Sequence, residues 1–94
     1  MKQIIWKYEL DLTCNPKCTV RMPPASQILT LQVQDHRPHI WVLTIPEPTL
    51  WVERNFVAFG TGHAIVPQPD IRLIYVGTYQ ISAFVWHVFE EVLY

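Results

Sequence analysis

Apolar and polar residues alternate with a period of two along most of the chain. Near the N-terminus, apolar positions alternate with mostly charged ones, and the apolar set is Ile4, Trp6, Tyr8, Leu10 and Leu12. Such alternation is typical of a β-strand with one face on a core and the other in solvent. No segment has the capped 3.6-residue apolar stripe of an amphipathic helix. The pattern therefore predicts an all-β fold.

The same pattern predicts strands further along the chain. Their ranges are Cys18–Met22, Ile28–Gln34, His39–Ile45, Leu50–Phe59, Ile71–Tyr79 and Ser82–Glu91, with a short extended piece at Ala64–Val66. The strand at His39–Ile45 is apolar or neutral on both faces, which predicts a central position. Gly77 is expected at a bulge or at a close approach of another chain segment. Ala83–Leu93 is also compatible with a helix, but its Val, Phe and Trp content favours a strand.

Eight prolines are spaced at the expected turns, which fits a meander of six or seven short strands. The predicted fold is a small antiparallel β-sandwich or an open barrel. At 94 residues, the chain is expected to form a single domain over residues 1–94.

The composition indicates that part of the surface is covered. Aromatic residues make up 13% of the chain and charged residues only 16%, where about 25% charged is usual for a soluble domain. A domain of this size has little interior for so many rings. We therefore expect a homo-oligomer, or a face that binds a ligand.

Charge and segment composition argue against duplex nucleic acid and membranes as partners. The net charge is −1 and the basic residues are scattered, so duplex nucleic acid is not an expected partner. Lys7 and Glu9 interrupt the N-terminal apolar run, which predicts no signal peptide, and no stretch is apolar enough to predict a membrane span. The expected location is the cytoplasm, with reduced cysteines. No cofactor is expected.

Gly60-Thr61-Gly62-His63 is the strongest local candidate for a ligand site. Two glycines permit positive φ and can turn backbone N–H groups towards a phosphate or carboxylate, and Thr61 and His63 can add donors. The alternative is a tight turn that needs glycine for geometry alone.

Aromatic residues in the last three predicted strands suggest a stacking site. Trp51, Tyr75, Tyr79 and Trp86 can stack a nucleobase while Arg54 or Arg72 holds a phosphate. The alternative role for these rings is the core or an oligomer interface. His87 can face a ligand as a donor or base, or can simply lie on the wetter face of a sheet. The expected ligand-binding residues are thus Gly60, Thr61, Gly62, His63, Arg72, Tyr79, Trp86 and His87.

Metal binding and catalysis have weaker support. Cys14, Cys18, His36 and His39 have ligand types that suit zinc, but the two pairs are equally explained as incidental turn residues. His63 and His87 can be imagined as an acid–base couple, yet neither has an evident nucleophile or orienting carboxylate. We expect no metal site and no enzyme activity.

Several short strings, in order, resemble a family of small bacteriophage and prophage proteins that is catalogued as a domain of unknown function. They are Trp6-Lys7-Tyr8, Met22-Pro23, Ile28-Leu29, Val33-Gln34, Gly60-Thr61-Gly62-His63, Tyr75-Val76-Gly77-Thr78-Tyr79-Gln80 and His87-Val88-Phe89-Glu90. The resemblance covers nearly the whole chain. It implies a viral origin and no known activity. The expected cytoplasmic location is then the host cytoplasm.

Together these features predict a phage-encoded homo-oligomer that acts by binding and antagonises host antiviral defence. The first hypothesis is an oligomeric sponge that sequesters a nucleotide-derived immune signal. The second is an inhibitor that binds and masks a host defence protein complex. A small hydrolase is the third.

Overall fold

The alternating segments form strands in the computed structural model, which describes residues 2–12, 14–46 and 48–94. The strands are β1 (Ile4–Glu9), β2 (Lys17–Met22), β3 (Gln27–Gln34), β4 (Arg37–Thr44), β5 (Val52–Gly60), β6 (Ile71–Ile81) and β7 (Phe84–Leu93). Every pairing between them is antiparallel. The predicted all-β class is confirmed, with seven strands. The described part of the chain holds no helix with the length and apolarity that crossing a membrane would need.

The strands belong to two open sheets. One has the order β1-β4-β3 and the other β2-β5-β7-β6. The predicted hairpin is formed by β3 and β4, and β4 is the central strand of its sheet, as expected. The predicted meander is wrong, because only β3–β4 and β6–β7 are neighbours both in sequence and in a sheet. Each of the other pairings joins strands that are apart in sequence.

Side chains from both sheets form the core. The three-stranded sheet contributes Leu31, Ile40 and Val42, and the four-stranded sheet contributes Val20, Met22, Phe56, Ala58, Tyr79 and Val88. Ile40, Val42, Phe56 and Val88 have no exposed surface. Burial of these apolar side chains is the main driving force that holds the two sheets together.

The sheets approach each other most closely where β6 meets β3. The pairing of β6 with β7 shifts register between Tyr75 and Gly77, as a bulge requires. A Cβ atom at Gly77 would lie 2.8 Å from the Cβ of Leu31 on β3. Both parts of the expectation for Gly77 are confirmed. Glycine is needed there because another side chain would displace a core leucine.

A buried polar network also joins the sheets. The Arg54 guanidinium donates from Nε to one Glu90 oxygen at 2.6 Å and from Nη2 to the other at 2.7 Å, and its Nη1 donates to the Ser26 carbonyl at 2.6 Å. The Ser26 hydroxyl lies 2.8 Å from that of Thr44 on β4. Glu90 and Thr44 are buried. The network therefore runs from β7 and β5 to the central strand of the other sheet.

Strand β7 pairs with β5 on one side and with β6 on the other. The strand prediction for Ser82–Glu91 is therefore confirmed, and the helix alternative for Ala83–Leu93 is wrong. Because β5 and β6 both run antiparallel to β7, the chain between them must return along the length of the sheet. Residues 61–70 make this return, and Ala64–Val66 within it belongs to no strand.

Candidate functional site

A large cleft opens where β5 extends beyond its pairing with β2. The cleft has a volume of about 1010 Å³. The last β2–β5 pair is Lys17 with Val57, and Val57, Ala58 and Phe59 all line the cleft. Successive residues of a strand point to opposite faces. The cleft therefore lies around the part of β5 that is paired with β7 on one side and extends beyond β2 on the other.

Segments from both sheets surround the cleft. The return segment lines one side with His63 and Ile65–Pro67, and the β3–β4 turn contributes His36. Strands β6 and β7 and the C-terminus contribute, among others, Arg72, Tyr79, Phe84, Trp86 and Tyr94. The cleft thus contains four of the eight predicted ligand-binding residues: His63, Arg72, Tyr79 and Trp86.

Aromatic rings form one wall of the cleft. Tyr79 and Trp86 are register partners on β6 and β7 and so share a face. The His63 ring packs edge-on against Trp86, with 6.1 Å between the ring centroids and an angle of 78° between the planes. Burial raises the pKa of the Tyr79 hydroxyl. This hydroxyl therefore stays protonated at neutral pH and can donate a hydrogen bond to a ligand.

The turn at Gly60–His63 explains how His63 reaches that wall. The His63 N–H donates to the Gly60 carbonyl at 3.1 Å, and Gly62 has a φ of 87°, which favours glycine. A Cβ atom at Gly60 would lie 2.7 Å from Cε1 of His63. Glycine at position 60 therefore leaves the space that the His63 ring occupies.

The turn does not form the cradle of free N–H groups that we expected. The Thr61 N–H donates to the Val85 carbonyl at 3.3 Å, and the His63 N–H is used within the turn. Gly60, Thr61 and Gly62 are outside the set of residues that line the cleft. The glycines serve the geometry of the turn, and the contribution of this motif to the cleft is the His63 side chain.

Charged side chains lie at the rim of the cleft. The Arg72 guanidinium lies over the Tyr94 ring, 6.0 Å from its centroid. Lys17 Nζ lies 3.6 Å from a carboxylate oxygen of Glu91, and both of these residues line the cleft. Arg72 and Tyr94 are exposed. A cation stacked on a ring keeps its donors directed at solvent or at a bound anion.

Arg54 does not have the role of phosphate ligand that the sequence suggested. Its Nε and Nη2 donate to the two oxygens of Glu90, and its Nη1 donates to Ser26. The hydrogen bond to Glu90 raises the pKa of Arg54. The guanidinium is committed to the buried network, so Arg72 is the arginine that remains for a ligand.

His87 and Thr61 lie away from the aromatic wall. Trp86 and His87 are adjacent on β7, so their side chains point to opposite faces of the sheet. His87 Nε2 lies 2.7 Å from the Thr61 hydroxyl, and its Nδ1 lies 3.0 Å from the Thr78 hydroxyl. Trp86 lines the cleft and His87 does not, so the structure does not bring the two together there.

The other aromatic candidates have different contacts. Trp51 stacks on Trp6 with centroids 6.1 Å apart and planes 9° apart. Tyr75 packs edge-on against Phe89 at 5.5 Å. Neither Trp51 nor Tyr75 is among the residues that line the cleft, so Tyr79 and Trp86 are the candidates that remain for stacking.

The zinc hypothesis gains no support. No group of three or more His, Cys, Asp or Glu side chains that could hold a metal occurs within residues 2–12, 14–46 and 48–94. His39 Nδ1 contacts the Arg37 carbonyl at 2.9 Å. Burial raises the pKa of the Cys18 thiol, which disfavours the thiolate that zinc requires. Cys14, Cys18, His36 and His39 are therefore not gathered into a site.

The sequence interpretation missed several cleft residues. They are His36, Ile65, Val66, Phe84 and Tyr94. His36 lies with Asp35 in the two-residue turn between β3 and β4. Both residues have a positive φ, 54° at Asp35 and 63° at His36. The others come from a segment without strand periodicity, from a hairpin end and from the C-terminus. Their meeting depends on the path of the return segment across the sheet.

One family model matches residues 1–93, almost the full length described here. Its description is DUF7352, a domain of unknown function. The chain belongs to the DUF7352 family. This confirms the resemblance to a domain of unknown function that the short strings indicated. No curated protein and no solved structure matches the chain.

Proposed function

We propose that this DUF7352 protein is a phage-encoded binding protein that sequesters a small nucleotide-derived molecule and so antagonises a host antiviral defence. The observation that carries the proposal is the cleft, which combines an aromatic wall with an exposed arginine, Arg72, at its rim. Trp86 and Tyr79 offer faces or edges for a base, and Arg72 offers donors for a phosphate. The resemblance to phage proteins supports the viral origin and the host cytoplasm as the place of action.

The size of the cleft favours a ligand larger than a single base. Ligand pockets in proteins usually measure about 300–1,000 Å³, and this cleft has about 1010 Å³. Its lining is mostly apolar, with a few polar groups, as is typical of pockets that bind small molecules. A nucleotide with its base at Trp86 and its phosphate towards Arg72 uses both kinds of surface.

Binding without turnover is the activity that the lining favours. The His63 ring packs on Trp86, and Tyr79, whose pKa burial raises, is a hydrogen-bond donor at neutral pH as any tyrosine is. Stacking and anion contacts hold a ligand without activating it. We therefore propose a sponge, which removes its ligand by mass action.

Exposed apolar side chains at the rim support self-association. Val66 is 80% exposed, Phe84 67% and Tyr94 83%, and all three line the cleft. A soluble monomer seldom exposes a contiguous apolar patch of large size. A second copy that packs on this rim would close the cleft and cover these side chains. The proposed sponge is therefore a homo-oligomer.

A thermal-shift assay with a nucleotide panel tests the proposal. The panel contains AMP, GMP, ADP-ribose, 3′,5′-cyclic AMP and cyclic di-GMP. A ligand at about 100 times its Kd adds about 2.7 kcal/mol, which raises the Tm of a domain this size by more than about 10 °C. The Trp86→Ala variant should lose about 1–3 kcal/mol of binding free energy, the contribution of one stacked base.

The matched control is Trp51→Ala, which removes an exposed tryptophan outside the cleft. This variant should bind as tightly as the wild type. Heat denaturation of the complex should release the nucleotide with its mass unchanged, whereas an enzyme would return an altered product and lose turnover on His63→Ala. If no member of the panel shifts the Tm of the wild type, the proposed ligand class is wrong.

A protein-binding inhibitor is the second candidate, and the exposed apolar rim is the observation that favours it. The rim would then be covered by a host defence protein in place of a second copy or a nucleotide. This alternative predicts that the protein co-purifies with a host protein, that Phe84→Asp abolishes the co-purification, and that the nucleotide panel leaves the Tm unchanged.

A further inference from the structure

A chain of hydrogen bonds joins β6, β7 and the Gly60–His63 turn on the face of the sheet that Trp86 does not use. His87 lies at its centre, with one ring nitrogen 2.7 Å from the Thr61 hydroxyl and the other 3.0 Å from the Thr78 hydroxyl. The Thr78 hydroxyl in turn lies 2.6 Å from that of Tyr75. Both ring nitrogens of His87 are thus engaged, so the ring is fixed in position and in rotation.

Thr61 connects these hydrogen bonds to the cleft. It is the second residue of the turn, and its backbone N–H makes a long hydrogen bond of 3.3 Å to the Val85 carbonyl. Residues 61–63 are exposed, so packing does little to hold the turn. The 2.7 Å contact between the Thr61 hydroxyl and His87 is shorter than this backbone hydrogen bond of the same residue. Two residues later, the His63 ring packs on Trp86.

We infer that His87 and Thr61 are positioning residues, which clamp the turn from one face of the sheet so that His63 is preorganised in the cleft on the other. The clamp removes freedom that the turn would otherwise lose when a ligand binds, and preorganisation of this kind raises affinity. The effect of the clamp on affinity rests on the proposed function. The effect of the clamp on the position of His63 does not depend on any ligand.

The first test uses NMR of the His63 ring in the free protein. The Trp86 ring current should shift the His63 Cε1–H signal away from the position of an exposed histidine, and Trp86→Leu should remove this shift. Thr61→Val has the same shape as threonine without the hydroxyl, so it should also remove the shift while core methyl signals stay in place. Thr61→Ser keeps the hydroxyl and should retain the shift.

Retention of the shifted His63 signal in Thr61→Val would overturn the inference, as would its loss in Thr61→Ser. If Thr61→Val perturbs the core signals, His87→Gln provides the second variant. The glutamine amide keeps a donor and an acceptor, but at a different distance from the backbone than the histidine ring nitrogens. It should move the His63 signal part of the way towards the exposed position. An unmoved signal in His87→Gln would also count against the clamp.

The second test measures the affinity for AMP. Thr61→Val and His63→Ala should each weaken AMP binding at least fivefold, and the double variant should be no weaker than His63→Ala, because both changes act through the same ring. Additive losses would contradict the inference. If the wild type does not bind AMP, the proposed ligand is wrong, and the NMR test still decides whether the clamp exists.

Discussion

Gly60 controls the position of His63 through the absence of a side chain. A Cβ atom at this position would lie 2.7 Å from Cε1 of His63 and 2.8 Å from its Nδ1. His63 is exposed, so its ring can swing away at little cost to the fold. The residue therefore affects the cleft more than it affects stability.

We predict that Gly60→Ala weakens nucleotide binding while it leaves the stability of the fold nearly unchanged. The added methyl group should drive the His63 ring from Trp86, so nucleotide affinity should fall about as much as in His63→Ala. The Tm should change by less than about 4 °C, equivalent to about 1 kcal/mol in a domain of this size. Thermal unfolding with and without ligand measures both. Intact affinity in the alanine variant would show that the His63 contact is not needed.

Tyr8 carries a buried hydroxyl on β1. The oxygen is buried and has no hydrogen-bond partner among the residues that the structure describes, and burial raises its pKa. An unsatisfied buried polar group costs about 1–3 kcal/mol. The fold therefore tolerates a local cost at this position of β1.

We predict that Tyr8→Phe stabilises the protein by about 1 kcal/mol, because it removes the unpaired hydroxyl and keeps the ring. Tyr75→Phe is the matched control, since its hydroxyl is bonded to Thr78 at 2.6 Å and its removal should be neutral or destabilising. Urea unfolding of the two variants measures the difference. A less stable Tyr8→Phe would mean that the hydroxyl has a partner in solution.

At the scale of elements, β6 is the strand that links the cleft to the core. Its bulge follows Tyr75, and Gly77 then lies against Leu31 of β3. Tyr79, two residues further on, is buried in the core and also lines the cleft. A change in the packing of β6 on β3 therefore reaches both the stability of the fold and the aromatic wall.

We predict that Gly77→Ala destabilises the protein by about 1–3 kcal/mol, the usual cost of overpacking a core. The new methyl group would lie 2.8 Å from Cβ of Leu31, and the backbone on both sides leaves little room for movement. The nearest atom is the Cβ of Leu31, which alanine keeps and glycine lacks, so Leu31→Gly removes the clash. Leu31→Gly should be destabilising by itself, but combined with Gly77→Ala it should lose less than the sum of the two single changes. Strictly additive losses would contradict this packing.

Local patterns were sufficient to predict the elements and not their assembly. Period-two alternation predicted β1 and the β3–β4 hairpin, because the pattern of a strand is contained in its own residues. The same alternation places the Trp86 and His87 side chains on opposite faces of β7. The capture of Arg54 by Glu90 involves residues 36 positions apart, and no local pattern reports it. The cleft likewise depends on the return of residues 61–70 across the sheet.

At the scale of the molecule, the polar network around Arg54 joins the two sheets. Arg54 pairs with Glu90 within the four-stranded sheet and donates to the Ser26 carbonyl, and the Ser26 hydroxyl contacts Thr44 of the other sheet. Both oxygens of Glu90 and all three guanidinium nitrogens of Arg54 have partners. Side-chain exposure is 22% for Arg54 and 11% for Glu90. A pair that is buried to this extent is costly to break, because one charge is left without its partner.

We predict that Glu90→Gln destabilises the protein by about 3 kcal/mol, near the lower limit for removing one partner of a buried pair. The matched control is Glu9→Gln, which breaks an exposed pair with Arg37 at 3.3 Å and should cost less than about 1 kcal/mol. Denaturant unfolding compares the two. Equal losses would show that the buried pair contributes no more than a surface one.

The central claim is that the cleft captures a nucleotide-like molecule without altering it, in an assembly of identical subunits. Native mass spectrometry after incubation with the nucleotide panel tests this most directly. We expect an oligomer that carries bound nucleotide, releases it at its original mass on denaturation, and loses it in Trp86→Ala but not in Trp51→Ala. A single subunit that binds no member of the panel would show that the proposal is wrong.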